Sequence, residues 1–130
     1  MKRAPVLILA GLVLGSLVTK SARAQSPGAK DIPPDVVRVI KKHCATCHTG
    51  PNPPKGLSLI PSRIAGAIDA RSAEMPQLKI IDTADPEAGY MLKKIMGAPD
   101  IKDAKMPRGR HMPEADLEIL KAWLLGLKTK

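Results

Sequence analysis

Cys44-Ala45-Thr46-Cys47-His48 places two thiols and an imidazole within five residues, and the chain has no other cysteine. Two cysteines in a short chain would, were it exported, first suggest a disulfide. The histidine that follows at once gives a different reading, because C-x-x-C-H is the pattern through which a c-type haem is attached. At a helix end, two intervening residues bring both sulfurs to one edge of the ring, for thioether bonds to its vinyl groups. The next residue then projects over the ring and can set an imidazole nitrogen on iron. Rival chemistries fit less well. A thioredoxin-type dithiol wants a βαβ context, which is missing. Zinc needs four ligands, and Cys44, Cys47 and one histidine leave distant His111 to complete the set. An inert disulfide gives His48 nothing to do.

With His48 on one axial side of the iron, the opposite side decides between electron transfer and ligand binding. A methionine thioether there favours Fe(II) and raises the potential. Of six methionines, one is the initiator. Met91 and Met96 fall on an expected middle helix and read as core filler. Met75, in Glu74-Met75-Pro76, follows the motif too soon to wrap across a ring. Met106 and Met112 remain, each followed by proline in the loop before the last helix. His111 and an open site are the other options.

These residues must be carried by helices. Asp31-Ile32-Pro33-Pro34-Asp35 is expected to open one that runs to about Cys47, since early proline and aspartate suit a helix N-terminus. Val36, Val39, Ile40 and Cys44 recur at steps of three and four, as one buried face requires. A Pro/Gly loop, residues 49–56, follows the motif. Ile64, Ala67 and Ile68 suggest a short helix. Asp85-Pro86-Glu87 is expected to start a middle helix with Asp85 as N-cap, closed by Gly97 and burying Met91, Leu92 and Ile95. A basic, proline-rich loop spans 98–112. Pro113 or Glu114 then begins a final helix with Leu117, Leu120, Leu124 and Leu127 on one stripe. Strand-like alternation and internal repeats are missing, so the expected class is all-α with long loops.

The chain's 130 residues suit one domain. Met1-Lys2-Arg3, an apolar run to Val18 and Ala22-Arg23-Ala24 read as a signal peptide over residues 1–24, cut after Ala24. That apolar run is short for a membrane span, which takes about 20 residues. An uncleaved N-terminal anchor is the alternative. Residues 25–33 read as a flexible lead and 34–130 as the domain, exported to the periplasm. Four of the 21 basic residues and no acid lie in the first 24, leaving 17 against 12, a net charge of +5. Such a surface can steer encounter with an acidic partner. One tyrosine, one tryptophan and no dense arginine cluster argue against nucleic acid. With no phenylalanine either, the core has few large side chains. A haem would supply a large flat apolar group in their place.

From about Val36 to Leu127 the chain resembles the single-haem c-type cytochrome domain family. The resemblance rests on Cys44-Ala45-Thr46-Cys47-His48, the Gly-Leu-x-Leu of Gly56 to Leu59, and Asp85-Pro86-Glu87. It rests also on Lys105-Met106-Pro107 ahead of Glu114-Ala115-Asp116-Leu117-Glu118-Ile119-Leu120-Lys121-Ala122-Trp123-Leu124. It implies a small cytochrome c fold, with the first and last helices packed around one covalent haem c. Cys44, Cys47, His48 and Met106 would then bind the cofactor, His48 and Met106 holding the iron, while Met112 contacts core. A carbonyl of the Pro51–Pro54 loop would take the other N–H of His48, and Tyr90, Arg108 and Arg110 are candidates for the propionates. His43 reads as an exposed helix residue. Arg108, Arg110 and His111 make the ligand loop more basic than the family's pattern, and Met112-Pro113 duplicates the Met-Pro step. The implied function is electron transfer with no catalysis, by a monomer with no membrane span once the signal is removed. Its partner would be a redox protein with an acidic docking face. Two alternatives are a haem subunit of a larger redox complex and a haem enzyme or gas sensor with an open sixth site.

Overall fold

The computed structural model describes residues 32–129. The signal peptide expected at 1–24 and nearly all of the expected flexible lead lie outside them. Three α-helices carry the described chain: α1 Pro34–His43, α2 Tyr90–Met96 and α3 Glu114–Gly126. Single 3-10 turns occupy Pro54–Gly56, Ile64–Ala67 and Pro86–Ala88. Extended pairing among the described residues is confined to isolated bridges, Ile68 with Ile81 and Arg71 with Lys79. The class is all-α, as expected. Among the described residues no helix is long and apolar enough to cross a membrane.

Pro34 stands in the first turn of α1 and Asp35 puts a carboxylate near its N-terminus, while Lys41, Lys42 and His43 end it. Both placements favour the helix dipole. Val36, Val39, Ile40 and Cys44 are buried together, as their spacing requires. The helix stops four residues short of the expected Cys47. Ala45 N–H reaches back five residues to Ile40 O, and the amides of Cys47 and His48 both bond to Cys44 O. These bonds coil the C-x-x-C-H segment into tight turns, which continue from α1 without extending it.

The middle helix also begins later than expected. Pro86–Ala88 forms a separate 3-10 turn, and Gly89 (φ −57°, ψ 127°) breaks it from α2. Gly89 is pressed against main chain: a Cβ there would lie 3.1 Å from Pro86 O and 3.3 Å from Asp82 N. Asp85 makes no side-chain cap. Asp82 does the equivalent work, its Oδ1 accepting the amides of Ala84 and Asp85 at 2.9 and 3.1 Å. The first amides of α2 are satisfied by Lys79 O and Ile80 O. Gly97 closes α2 in the left-handed region at φ 72°, as the sequence suggests. The 57–80 stretch holds one short turn, Ile64–Ala67, and Ile68 leaves it to pair with Ile81.

α1 packs on α3, and α2 packs on α3 as well. Their apolar faces, Val36, Val39 and Ile40 with Met91, Leu92 and Ile95 and with Leu117, Leu120 and Leu124, join in one core. Ile64, Ala67 and Ile81 complete it. Burying each large aliphatic side chain contributes about 1.5–3 kcal/mol. Leu127 and Trp123 pack on its edge, partly buried. Met91 is core, as expected; Met96, expected to fill core, is 43 % exposed.

Candidate functional site

A cavity of about 910 Å³ opens beside α1, and Cys44, Cys47 and His48 all line it. That volume is near the top of the range for cofactor sites, about 300–1,000 Å³. The end of α1 fixes Cys44 on the buried face, and the following turn leaves Cys47 exposed; both thiols are free. Burial pushes the Cys44 thiol up to about 11.

His48 is held from both sides of its residue. Its carbonyl accepts the amide of Leu59 at 2.9 Å, and its Nδ1 lies 3.0 Å from Leu57 O. A carbonyl can only accept, so Nδ1 carries the proton and donates. The neutral ring therefore keeps its lone pair on Nε2, the nitrogen free to bind a metal. The partner is Leu57 and not a carbonyl of Pro51–Pro54 as expected. The Pro54–Gly56 turn, with Lys55 at φ 57° and Gly56 at φ 67°, carries the chain past that loop before it returns to the ring.

Met106 and Met112 both line the same cavity. They differ in setting. Met112 is 7 % exposed and belongs to the core, whereas Met106 is half-buried and stands outside it. Met106 hangs from α2 by its amide, which donates to Lys94 O at 3.0 Å. His111 is exposed and does not line the cavity. Among the described residues, no three His, Cys, Asp or Glu side chains gather to hold a metal ion, which leaves the zinc reading without a cage.

The remaining expectations for polar residues need correcting in two places. The His43 side chain is 7 % exposed rather than open to solvent, and its Nε2 meets Asp116 Oδ2 at 2.8 Å. Tyr90, a candidate for the propionates, already spends its hydroxyl inside the protein. It donates to Glu74 Oε2 at 2.9 Å and accepts the amide of Lys102 at 3.2 Å. Arg108 and Arg110 do line the cavity and are exposed, with Arg110 also donating to Thr46 Oγ1 at 2.8 Å. Sequence reasoning missed Lys55, Arg63 and Arg71, three further exposed cations on the cavity wall. It missed also the Glu74–Lys94 ion pair there, 2.9 Å apart with both side chains under 10 % exposed. Burial alone would raise the Glu74 carboxyl, but the hydrogen bonds from Lys94 and Tyr90 outweigh it and hold it at about 2. Ser58 was missed too: its Oγ is buried in the cavity wall with no partner among the described residues. No periodicity marks any of these residues, since each takes its role from chain segments distant in sequence.

The chain matches no protein-family model, no curated protein and no solved structure.

Proposed function

We propose that this protein is an exported electron carrier of the c-type cytochrome kind, one haem c held through Cys44 and Cys47 with His48 and Met106 as axial ligands. One observation carries the reading: a single cavity takes both thiols, a histidine whose Nδ1 is committed to Leu57 O, and a methionine outside the core. The residues present fit such a group. The cavity is large enough, and Ser58 Oγ is a buried hydroxyl in want of a partner, of the kind a bound carboxylate satisfies. The five exposed cations on the wall, Lys55, Arg63, Arg71, Arg108 and Arg110, suit the negative charge of two propionates.

A haem bound there supplies an iron that exchanges one electron between Fe(II) and Fe(III). The polypeptide's part is to fix and tune. Cys44 and Cys47 would tether the group, the Leu57 carbonyl holds the His48 ring in the tautomer that presents Nε2, and the Met106 thioether would favour the reduced state. Held by both His48 and Met106, the iron would be closed to small molecules, and the protein would serve as a carrier and not as an enzyme. The cationic wall and net positive domain suit a transient redox partner with an acidic face. The basic start, apolar run and Ala22-Arg23-Ala24 support a periplasmic setting for the carrier.

The test is an absorption spectrum of periplasmically produced protein, oxidised and reduced, with its intact mass. The expected results are a mass raised by one haem, a Met-to-Fe(III) charge-transfer band and no carbon monoxide binding by the reduced form. Carbon monoxide binding without ligand displacement would instead assign an open-site enzyme or sensor. Unmodified mass would sink the haem reading altogether.

A further inference from the structure

The segment between α2 and Met112 has a curious mechanical standing. None of residues 98–111 belongs to the apolar core or to the side chains packed against it. Residues 102–105 are exposed. An arm with no apolar anchor opens at low cost, yet this one carries Met106. What fixes it is polar: Asp100 pairs with Lys93 and Arg110 donates to Thr46 Oγ1 towards its two ends, and the stretch that leads into Met106 is held at Lys94.

Lys94 lies on α2 with its side chain 8 % exposed. Its ammonium donates to Lys102 O at 2.5 Å and to Ala104 O at 3.4 Å, and it pairs with Glu74 Oε2 at 2.9 Å. An ammonium has three donors, so all three are used, two of them on the arm. The Lys94 carbonyl takes the Met106 amide. Tyr90, one helical turn earlier, grips the same arm through the amide of Lys102 and the same carboxylate through its hydroxyl. Lys55 closes the far side of Glu74 at 3.5 Å. A buried ion pair is a poor source of stability, because desolvation offsets the attraction. Its value here is geometric: Glu74 holds Lys94 and Tyr90 in the orientation from which both bind the arm.

We propose that Lys94, oriented by Glu74 and assisted by Tyr90, is a positioning residue that pins the Met106 arm to α2 and so keeps the sixth coordination position closed to small molecules. The inference rests on the His48–Met106 ligation proposed above. Lys94 lies on the cavity wall, but its ammonium is spent on Glu74 and on the carbonyls of Lys102 and Ala104, so its role is exerted through the chain that bears the ligand. Withdrawing one charge-assisted hydrogen bond raises the population of a detached arm by about tenfold or more.

The experiment uses the haem-loaded protein and compares wild type with Lys94→Met, Tyr90→Phe and Lys94→Arg. In Lys94→Met the Met-to-Fe(III) band should weaken and the reduced form should bind carbon monoxide, with the haem still covalently attached. Exchange of the Met106 amide should quicken relative to amides in α1. Tyr90→Phe keeps the ring and removes a single hydroxyl, so it folds and should shift the same readouts in the same direction by less. Lys94→Arg, which restores cation and donors, should recover part of the band. If Lys94→Met fails to fold, Tyr90→Phe decides alone. A wild-type band that depends on Met106, together with an unchanged band and unchanged carbon monoxide resistance in these variants, overturns the positioning role only. A wild-type protein without the band, or one whose band survives Met106→Ala, overturns the ligation and the inference together.

Discussion

His43 Nε2 lies 2.8 Å from Asp116 Oδ2, joining the last residue of α1 to the first turn of α3 immediately before Cys44. Arg38 and Lys42, from the same side of α1, reach the same carboxylate at 2.9 and 3.0 Å. The Asp116 side chain is 8 % exposed, so one carboxylate organises three basic groups across the α1–α3 contact. That contact ties the end of α1 to α3 immediately ahead of the first thiol.

The Asp116 carboxyl is held well below the usual carboxylate range by hydrogen bonds from His43, Lys42 and Arg38. A depressed folded-state value stabilises the fold above the unfolded carboxyl's pKa, about 3.9, and that stabilisation drains as pH falls towards the folded value. Asp116→Asn should therefore melt below wild type at neutral pH, with the gap narrowing as pH drops below about 4. Thermal unfolding at several pH values reads it. A gap that is constant with pH would show that the carboxylate's charge contributes nothing to the helix contact.

The two thiols should react unequally before any attachment. Burial lifts Cys44 to about 11, while Cys47 is exposed. At pH 8 a thiol three units below its pKa is ionised to about one part in a thousand, and the thiolate is the nucleophile. In protein produced without haem, brief iodoacetamide treatment should label Cys47 and spare Cys44, as peptide masses report. Equal labelling would mean that the end of α1 does not pack Cys44 into the core.

Met106 and Met112 should separate cleanly by substitution. Met112 sits in the core at 7 % exposure, so Met112→Ala should cost about 2–5 kcal/mol. Met112→Leu, of similar volume, should cost less than about 1.5 kcal/mol and leave the charge-transfer band intact. Urea unfolding and the oxidised spectrum measure both effects. Loss of the band in Met112→Leu would transfer the sixth ligand from Met106 to Met112.

What could be read from sequence was whatever repeats at helical spacing. The faces of α2 and α3 and the buried stripe of α1 follow from apolar residues three and four apart, and Gly97 marks the end of α2 because a left-handed residue is needed there. The C-x-x-C-H run needed no fold to be noticed. Other features depend on what lies across the chain. Asp116 sits 73 residues from His43, and Glu74 sits 16 from Tyr90, separations at which side-chain pairing leaves no local pattern. The Leu57 carbonyl became the partner of His48 through the Pro54–Gly56 turn, and main-chain acceptors carry no side-chain signature. Helix ends were misjudged for a related reason. At Ala45 and at Gly89 the course of the chain is set by individual main-chain contacts, and propensity at those positions does not decide it.

Gly97 tests how closely the end of α2 and the Met106 arm are fitted. Its φ of 72° is a conformation that costs an L-residue about 1–2 kcal/mol. A Cβ would also lie 2.9 Å from Lys105 Cδ, the flexible middle of the side chain preceding Met106. The second conflict can relax and the first cannot. Gly97→Ala should thus lose about 1–2 kcal/mol in urea unfolding, and the double variant Gly97→Ala/Lys105→Ala should recover little of it. Gly126→Ala is the control: its φ is not positive and nothing lies within 4 Å of a Cβ there, so it should lose no more than about 0.5 kcal/mol against wild type. Full recovery in the double variant would instead make the Lys105 contact dominant, and α2 would then meet the arm through side-chain packing more than through its left-handed turn.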